Sequence, residues 1–296
     1  MAIATLLKAH DKDLGGALVV RRLLPAAARQ AVGPFIFFDH FGPLEVPAEA
    51  NHDVRAHPHI GLATVSYLFE GALEHRDSVG SVQRIEPGAI NWMTAGRGIV
   101  HSERTPLDLR GQARRSHGLQ LWAALPQANE HDAPSFSHTP AAAIPCVAVA
   151  GGTVRVLVGS AFGVRSPVAT PSETLYLDVQ LGAGALLAFE DLPAEAALYA
   201  VSGGEGALLL DGAALPAHTM ALLEPGRVLS VRAVRDVRFV LIGGAPLDGR
   251  RFIWWNFVAS DKQRLLQAAD DWEQQRFEAV PGETEYIPLP ERPRSA

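Results

Sequence analysis

From residue 62 to residue 125 the chain is a series of short apolar runs, each closed by a glycine or proline turn signal. Residues 62–69 stop at Gly71, 73–77 at Ser78-Val79-Gly80, and 82–85 at Glu86-Pro87-Gly88. Residues 89–93 stop at Ala95-Gly96-Arg97-Gly98, and 99–103 and 118–125 follow. A helix needs an apolar stripe of period 3.6 sustained over ten or more residues. Short runs punctuated roughly every 8–12 residues instead require a sandwich or barrel of antiparallel strands. Upstream, Phe35-Ile36-Phe37-Phe38-Asp39-His40-Phe41 is an aromatic-rich strand ending at Gly42-Pro43, and residues 1–30 are expected to add edge strands that close the same barrel.

The second half repeats this grammar. Residues 154–159, 174–181, 185–189, 197–201, 207–210, 219–223, 228–234 and 237–242 all read as strands. Glu70-Gly71 followed by Glu86-Pro87-Gly88 is echoed by Glu205-Gly206 followed by Glu224-Pro225-Gly226. A duplicated barrel accounts for that weak repeat. Between the halves, Pro126, Pro134, Pro140 and Pro145 stand among polar residues, a linker signature. The expected organisation is an N-terminal barrel over 1–130, a linker over 131–145 and a C-terminal barrel with its tail over 146–296. The tail changes period: Leu265, Leu266, Ala269 and Trp272 recur at helical spacing behind a Ser260/Gln263 capping box. That predicts a helix over about 261–277 and an extended, proline-bearing arm over 280–296. The fold class is therefore all-β, two tandem barrels with one short C-terminal α-helix.

Composition narrows the function. At 296 residues and 48% apolar, the chain can bury a sizeable core. A net charge of −6 excludes the basic footprint of a broad nucleic-acid binder. Cys146 is the only cysteine, so neither an intrachain disulfide nor a cysteine-based zinc site can form. Within its apolar run it reads as a buried, inert thiol. No run of 18 apolar residues exists to span a membrane. The first residues lack the basic leader and apolar stretch of a signal peptide. A soluble, cytoplasmic monomer is the expectation.

On a strand, residues i and i+2 share one face. His57 and His59 form such a pair, and His101 and Glu103 another, at the two ends of the punctuated stretch. If both pairs face one barrel interior, three imidazoles and a carboxylate meet. That donor set suits a borderline divalent ion and leaves positions open for substrate. Asp39, His40, His52, His75 and Asp77 fall in or beside the same half; His40 and His52 are candidates for the pocket mouth. Arg97, between two glycines, reads as a structural salt bridge in preference to a substrate contact. Gln120 is a candidate for a hydrogen bond inside the pocket. In the second half the corresponding positions fall near residues 189–193 and Phe239 and offer no ligand set, and His218 stands alone.

At these residues the chain resembles a known family. His57-Pro58-His59-Ile60-Gly61, then 64–71 (Thr-Val-Ser-Tyr-Leu-Phe-Glu-Gly), then 92–103 (Trp-Met-Thr-Ala-Gly-Arg-Gly-Ile-Val-His-Ser-Glu) look like the signature of the pirins. Gly118-Leu119-Gln120-Leu121-Trp122 also fits. The resemblance is strong over about 35–125 and looser elsewhere. It implies a bicupin fold with one metal in the N-terminal cupin, held by His57, His59, His101 and Glu103. Iron is the usual metal implied, with Ni, Mn, Cu, Co or Zn as alternatives. The carboxylate that general cupins carry soon after His-x-His is missing, since Ala63 and Thr64 stand there; Glu103 supplies it, as in pirins. The resemblance also implies quercetin 2,3-dioxygenase activity, in which a flavonol or other phenolic substrate is opened by O2 with release of carbon monoxide and Glu103 acts as base. A second implied reading is a non-enzymatic, iron-dependent, redox-sensing co-regulator that binds a protein partner. A cupin isomerase or sugar-binding protein is a third, supported weakly by Arg97.

Overall fold

The computed structural model describes residues 2–15, 19–50 and 52–291. The turn punctuation sets the strands. β1 (Ile3–Lys8), β2 (His10–Asp13), β3 (Val19–Leu24), β4 (Phe35–Val46), β5 (Val54–His59) and β6 (Leu62–Glu70) come first. β7 (Leu73–Asp77), β8 (Val82–Ile85), β9 (Ile90–Thr94), β10 (Ile99–Arg104), β11 (Arg114–Ala124) and β12 (Ser135–Thr139) follow. The second half carries β13 (Cys146–Val149), β14 (Gly152–Val158), the hairpin β15 (Ser160–Ala161) and β16 (Val164–Arg165), β17 (Thr174–Leu181), β18 (Leu186–Phe189) and β19 (Glu195–Ala200). It continues with β20 (Leu208–Leu210), β21 (Ala213–Ala214), β22 (Thr219–Leu223), β23 (Leu229–Ala233) and β24 (Val237–Gly244). A small hairpin, β25 (Phe252–Trp254) and β26 (Phe257–Ala259), leads to the helix α1 (Lys262–Glu273).

Each barrel is one seven-stranded sheet facing one four-stranded sheet. The first has the orders β12-β9-β6-β11-β4-β3-β2 and β5-β10-β7-β8; the second has β1-β22-β19-β24-β17-β14-β13 and β18-β23-β20-β21. The orders superimpose strand for strand, so the duplicated grammar of the sequence is a duplicated topology.

The ends of the chain cross over. β1 leaves the first half and pairs antiparallel with β22 as an edge strand of the second barrel, so residues 1–30 do not all serve the first. In return, the tail after β24 returns to the first barrel. Phe257 bridges Ile60, Tyr286 bridges Ala56, and Ile287 N donates to Ala56 O at 2.8 Å. Gly61 allows this approach: it has φ +67°, and a Cβ there would sit 2.0 Å from Val258 O. The proline-rich segment 131–145 is not a plain linker either, because it contains β12, which pairs with β9 as the edge strand of the first barrel. The prolines stop the strand without preventing it.

The two seven-stranded sheets pack against each other. Phe35, Phe38, Tyr67 and Leu119 of the first interlock with Leu157, Tyr176, Tyr199 and Ile242 of the second in the largest apolar cluster. Each such side chain stabilises by about 1.5–3 kcal/mol when fully buried. Within this layer Asp178 is 1% exposed. It accepts from Tyr67 Oη at 2.7 Å and from both arms of Arg238 at 2.7 and 2.5 Å. Backbones meet at Gly33, where a Cβ would lie 2.5 Å from Gly244 N.

The helix is shorter than its sequence pattern suggests and is capped differently. Asp261 is the N-cap, accepting from Gln263 N at 3.0 Å, because Ser260 Oγ is committed to Glu130 Oε2 at 2.7 Å. Leu265, Ala268 and Ala269 are buried, whereas Leu266 is exposed. Cys146 is also exposed: β13 is an edge strand whose alternate residues face solvent, so the buried-thiol expectation is overturned. No helix among the described residues is long and apolar enough to cross a membrane.

Candidate metal centre

β5 and β10 run antiparallel with His57 directly opposite His101 and His59 opposite Ile99. Alternation then turns all three imidazoles to the barrel interior. One ligand nitrogen from each lies within 4.8 Å of the others, a grouping that can hold a metal ion. The ring centroids are 4.4 Å apart for His57 and His101, and 5.0 Å for the other two pairs.

The hydrogen bonds fix which nitrogen points inward. His57 Nδ1 lies 2.8 Å from Arg55 O, and His59 Nδ1 lies 3.1 Å from Asn256 O. A carbonyl only accepts, so each Nδ1 carries the proton and each Nε2 is left as a bare lone pair. His101 Nδ1 is engaged by His75 Nδ1 at 3.4 Å, while its Nε2 is buried and has no hydrogen-bond partner. Burying an unpaired imidazole nitrogen is costly unless something occupies the lone pair. The residues therefore fit a transition metal bound by three neutral imidazoles. Burial keeps them neutral. It pushes His57 down to about 4, with the nearby His75 adding to the fall and the Arg55 carbonyl opposing it. It holds His59 and His101 well below the ordinary value, and the neighbouring imidazoles deepen the effect.

Glu103 shares the interior face of β10 with His101 but lies outside this group. It pairs with His75 of β7 in unbroken register, while the extra residue of the β10–β5 irregularity falls on β5 and sets Val54 opposite it. Its carboxylate is not among the donors that lie within 4.8 Å of one another. It accepts instead from Ser66 Oγ at 3.4 Å. Burial raises its pKa, and His75 and the Ser66 hydroxyl offset part of the rise.

The facing sheet supplies a polar row in register: His138, Asn91, Ser66, Gln120, Asp39 and Arg22 lie opposite one another on β12, β9, β6, β11, β4 and β3. Ser66 Oγ donates to Gln120 Oε1 at 2.8 Å, so Gln120 does bond inside the barrel. Arg22 grips Asp39 through two bonds at 2.8 and 2.7 Å. Beside the row, Trp122 lies 5.1 Å from His59 and stacks on Phe37 at 4.1 Å, making a flat aromatic wall.

The other candidates resolve unequally. His40 is not at a pocket mouth. It is 1% exposed on the outer face of β4, between the barrels, with Nδ1 2.8 Å from Tyr199 Oη and Nε2 2.8 Å from His117 Nε2. His52 is half-buried before β5 and outside the imidazole group. Arg97 is exposed and has no ion pair among the described residues; only its backbone is used, with its carbonyl accepting from Arg264 Nη2. His218 is exposed with φ +53°. Sequence reasoning left His75 and Asp77 without a role. Their signal was a third i, i+2 pair, and β7 places it alongside His101 and Glu103.

In the second barrel, β18 and β23 take the places of β5 and β10, with Phe189 opposite Leu229 and Leu187 opposite Val231. Sheet order and register thus set Leu187, Phe189, Val231 and Ala233 where the first barrel has His57, His59, His101 and Glu103. Phe239, the second position expected from sequence, lies on β24 of the other sheet. All four replacements belong to an apolar core.

Two sheets closed around an interior, twice over in topology and once with a histidine cluster, describe a bicupin with a single candidate metal centre among the described residues. The chain belongs to the pirin family. A pirin profile matches residues 17–123, and a profile for the pirin C-terminal cupin domain matches residues 176–278. A pirin-like protein of Caulobacter vibrioides is 43% identical over 287 residues, which is 96% of this chain and 98% of that one. The crystal structure of a quercetin 2,3-dioxygenase from Acinetobacter baumannii is 31% identical, with a TM-score of 0.91 over 99% of this chain and 97% of that one. A bacterial pirin from Escherichia coli in complex with nickel(II) shares the fold at 19% identity, with a TM-score of 0.63 over 82% of this chain and 99% of that one.

Proposed function

We propose that this protein is a metal-dependent dioxygenase of the quercetin 2,3-dioxygenase type, acting on flavonols or related phenolic compounds with O2. The observation that carries the reading is the buried trio His57, His59 and His101, whose Nδ1 atoms are all engaged and which each bring one ligand nitrogen within 4.8 Å of the others. Glu103 completes the proposed ligand set. Iron is the leading assignment, and Ni, Mn, Cu, Co and Zn are the other ions such a donor set accepts. Similarity to the Acinetobacter baumannii enzyme supports the substrate class.

A bound redox metal supplies Lewis acidity toward a phenolate and electron transfer with O2. The remaining work belongs to side chains. Glu103 takes the proton of the reacting hydroxyl, because its carboxylate is buried beside the histidines with only the Ser66 hydroxyl bonded to it. Ser66 and Gln120 orient a second substrate oxygen. The Trp122–Phe37 wall receives a flat ring and excludes water. The test is aerobic turnover of quercetin by metal-loaded protein, with carbon monoxide measured as product. An unchanged rate in His57→Ala or Glu103→Ala sinks the assignment. Protein that carries only zinc in its own host also counts against it, since zinc has no redox chemistry.

A further inference from the structure

Among the imidazoles of the trio, only His101 has its Nδ1 engaged by another histidine. Behind it stands a chain of three side chains. His101 Nδ1 is 3.4 Å from His75 Nδ1, and His75 Nε2 is 2.9 Å from Asp77 Oδ2. Asp77 Oδ1 accepts from two backbone amides, Val79 N at 3.0 Å and Ser81 N at 2.9 Å. The chain is shielded from water: Asp77 is 0% exposed and His75 5%. The His75 ring is clamped flat against Phe136, with centroids 4.2 Å apart and planes 12° apart.

An imidazole–imidazole hydrogen bond is ambiguous by itself, because either ring can donate. Asp77 removes the ambiguity. A carboxylate only accepts, so His75 Nε2 carries the proton and His75 Nδ1 is the acceptor. His101 Nδ1 must then be the donor, and His101 Nε2 is left bare. We propose that Asp77 and His75 are positioning residues that set the tautomer of His101 and thereby present its Nε2 to the metal. This rests on the metal reading above and adds two residues to it. His57 and His59 obtain the same tautomer from backbone carbonyls, which cannot reverse. His101 obtains it from side chains, so substitution at a distance can reverse it.

Asp77→Asn is the discriminating variant. The amides of Val79 and Ser81 hold the side-chain oxygen of asparagine, so its NH2 must face His75. His75 then turns its proton to Nδ1, meets the Nδ1 proton of His101, and drives His101 toward the tautomer with no lone pair on Nε2. The experiment is competitive titration of metal-free protein with cobalt(II) against a chromophoric chelator. Loss of an outer partner of a ligating histidine costs about 10–100-fold in metal affinity. We expect a loss of that size for Asp77→Asn with the circular dichroism of the native fold retained. Equal affinity in Asp77→Asn and the native protein overturns the proposal and leaves the metal centre standing. Failure of the native protein to bind cobalt(II), or binding unchanged in His57→Ala, overturns both. Should Asp77→Asn not fold, the imidazole 15N resonances of the native metal-free protein decide instead. Protonated Nδ1 at His101 with protonated Nε2 at His75 supports the proposal. The reverse pattern, or a His75 protonated on both nitrogens, overturns it.

Discussion

In the first barrel the paired strands β5 and β10 bring His57, His59 and His101 to the interior; in the second, β18 and β23 bring Leu187, Phe189 and Val231 to the equivalent places. The contrast extends to the facing sheets. The first carries the row Asn91, Ser66, Gln120, Asp39, and a row across the second reads Ala221, Leu198, Leu241, Leu177, Val156. One scaffold thus holds two interiors with different tasks. An aliphatic interior fills with side chains and stabilises the fold. A polar interior gives up part of that stabilisation and keeps lone pairs that a ligand can use. Joined through the Phe35–Tyr176–Tyr199 layer, the apolar barrel supports the polar one.

The comparison can be broken most sharply at the ligands. His101→Ala should abolish metal binding and lower turnover by about 1,000-fold or more; metal stoichiometry by elemental analysis and quercetin kinetics check both. Next comes the layer between the barrels. Arg238→Met strips Asp178 of its charge partner and leaves a buried carboxylate with only the Tyr67 hydroxyl, at a cost of about 3–5 kcal/mol in urea unfolding. Leu241→Ala, in the filled interior, should cost about 2–5 kcal/mol and leave metal content unchanged. A loss of metal there would mean that the second barrel does more than support.

Acid gives a smaller, graded effect. His57 in the first barrel and His117 in the layer between barrels are both held at about 4, His117 chiefly by burial and then by the charge of Arg238. Between that value and the ordinary 6.5, the unfolded chain binds protons that the folded chain refuses, so stability rises with pH across the window. The metal-free protein should lose stability as pH falls from 6.5 toward 4, by at most about 1.4 kcal/mol per pH unit per group. Asp39 and Glu103, whose pKa values burial raises, act in the opposite sense above the usual carboxylate range. Thermal melts across the range measure the net slope, and the same melts on Asp39→Asn protein isolate the histidine part, where a flat profile would refute the assignment to buried neutral histidines. Smallest of all, Cys146→Ser on the exposed edge strand should shift unfolding by no more than about 0.5 kcal/mol.

Much of this was legible in the residues. Turn spacing exposes the strands, and the pair His57/His59 with His101 announces the cluster, because period-two alternation is a local rule. Glu103 follows the same rule: it keeps the face of His101 in an unbroken β10–β7 register and bonds Ser66 inside the barrel, but how far its carboxylate lies from the imidazole nitrogens is not a property of alternation. His75 and Asp77 carried the same i, i+2 signal, but their partner in space is β10, which only the sheet order reveals. Cys146 misled because an apolar run looks alike on an edge and in a core. The crossing of β1 and the tail is non-local, and no feature of residues 1–30 or 250–291 records which barrel each would join.

That crossing bears on how the molecule comes into being. The chain emerges from the ribosome N-terminus first, yet Ile60 and Ala56, beside the histidine trio, await Phe257 and Tyr286. β1, made first, must wait for β22. The tail contacts of the first barrel therefore come after every strand of the second, since β24 ends at Gly244. A gene cut at residue 140 should yield two aggregation-prone halves, each with an open sheet edge or an uncovered apolar face, and co-expression of the halves should rescue them together.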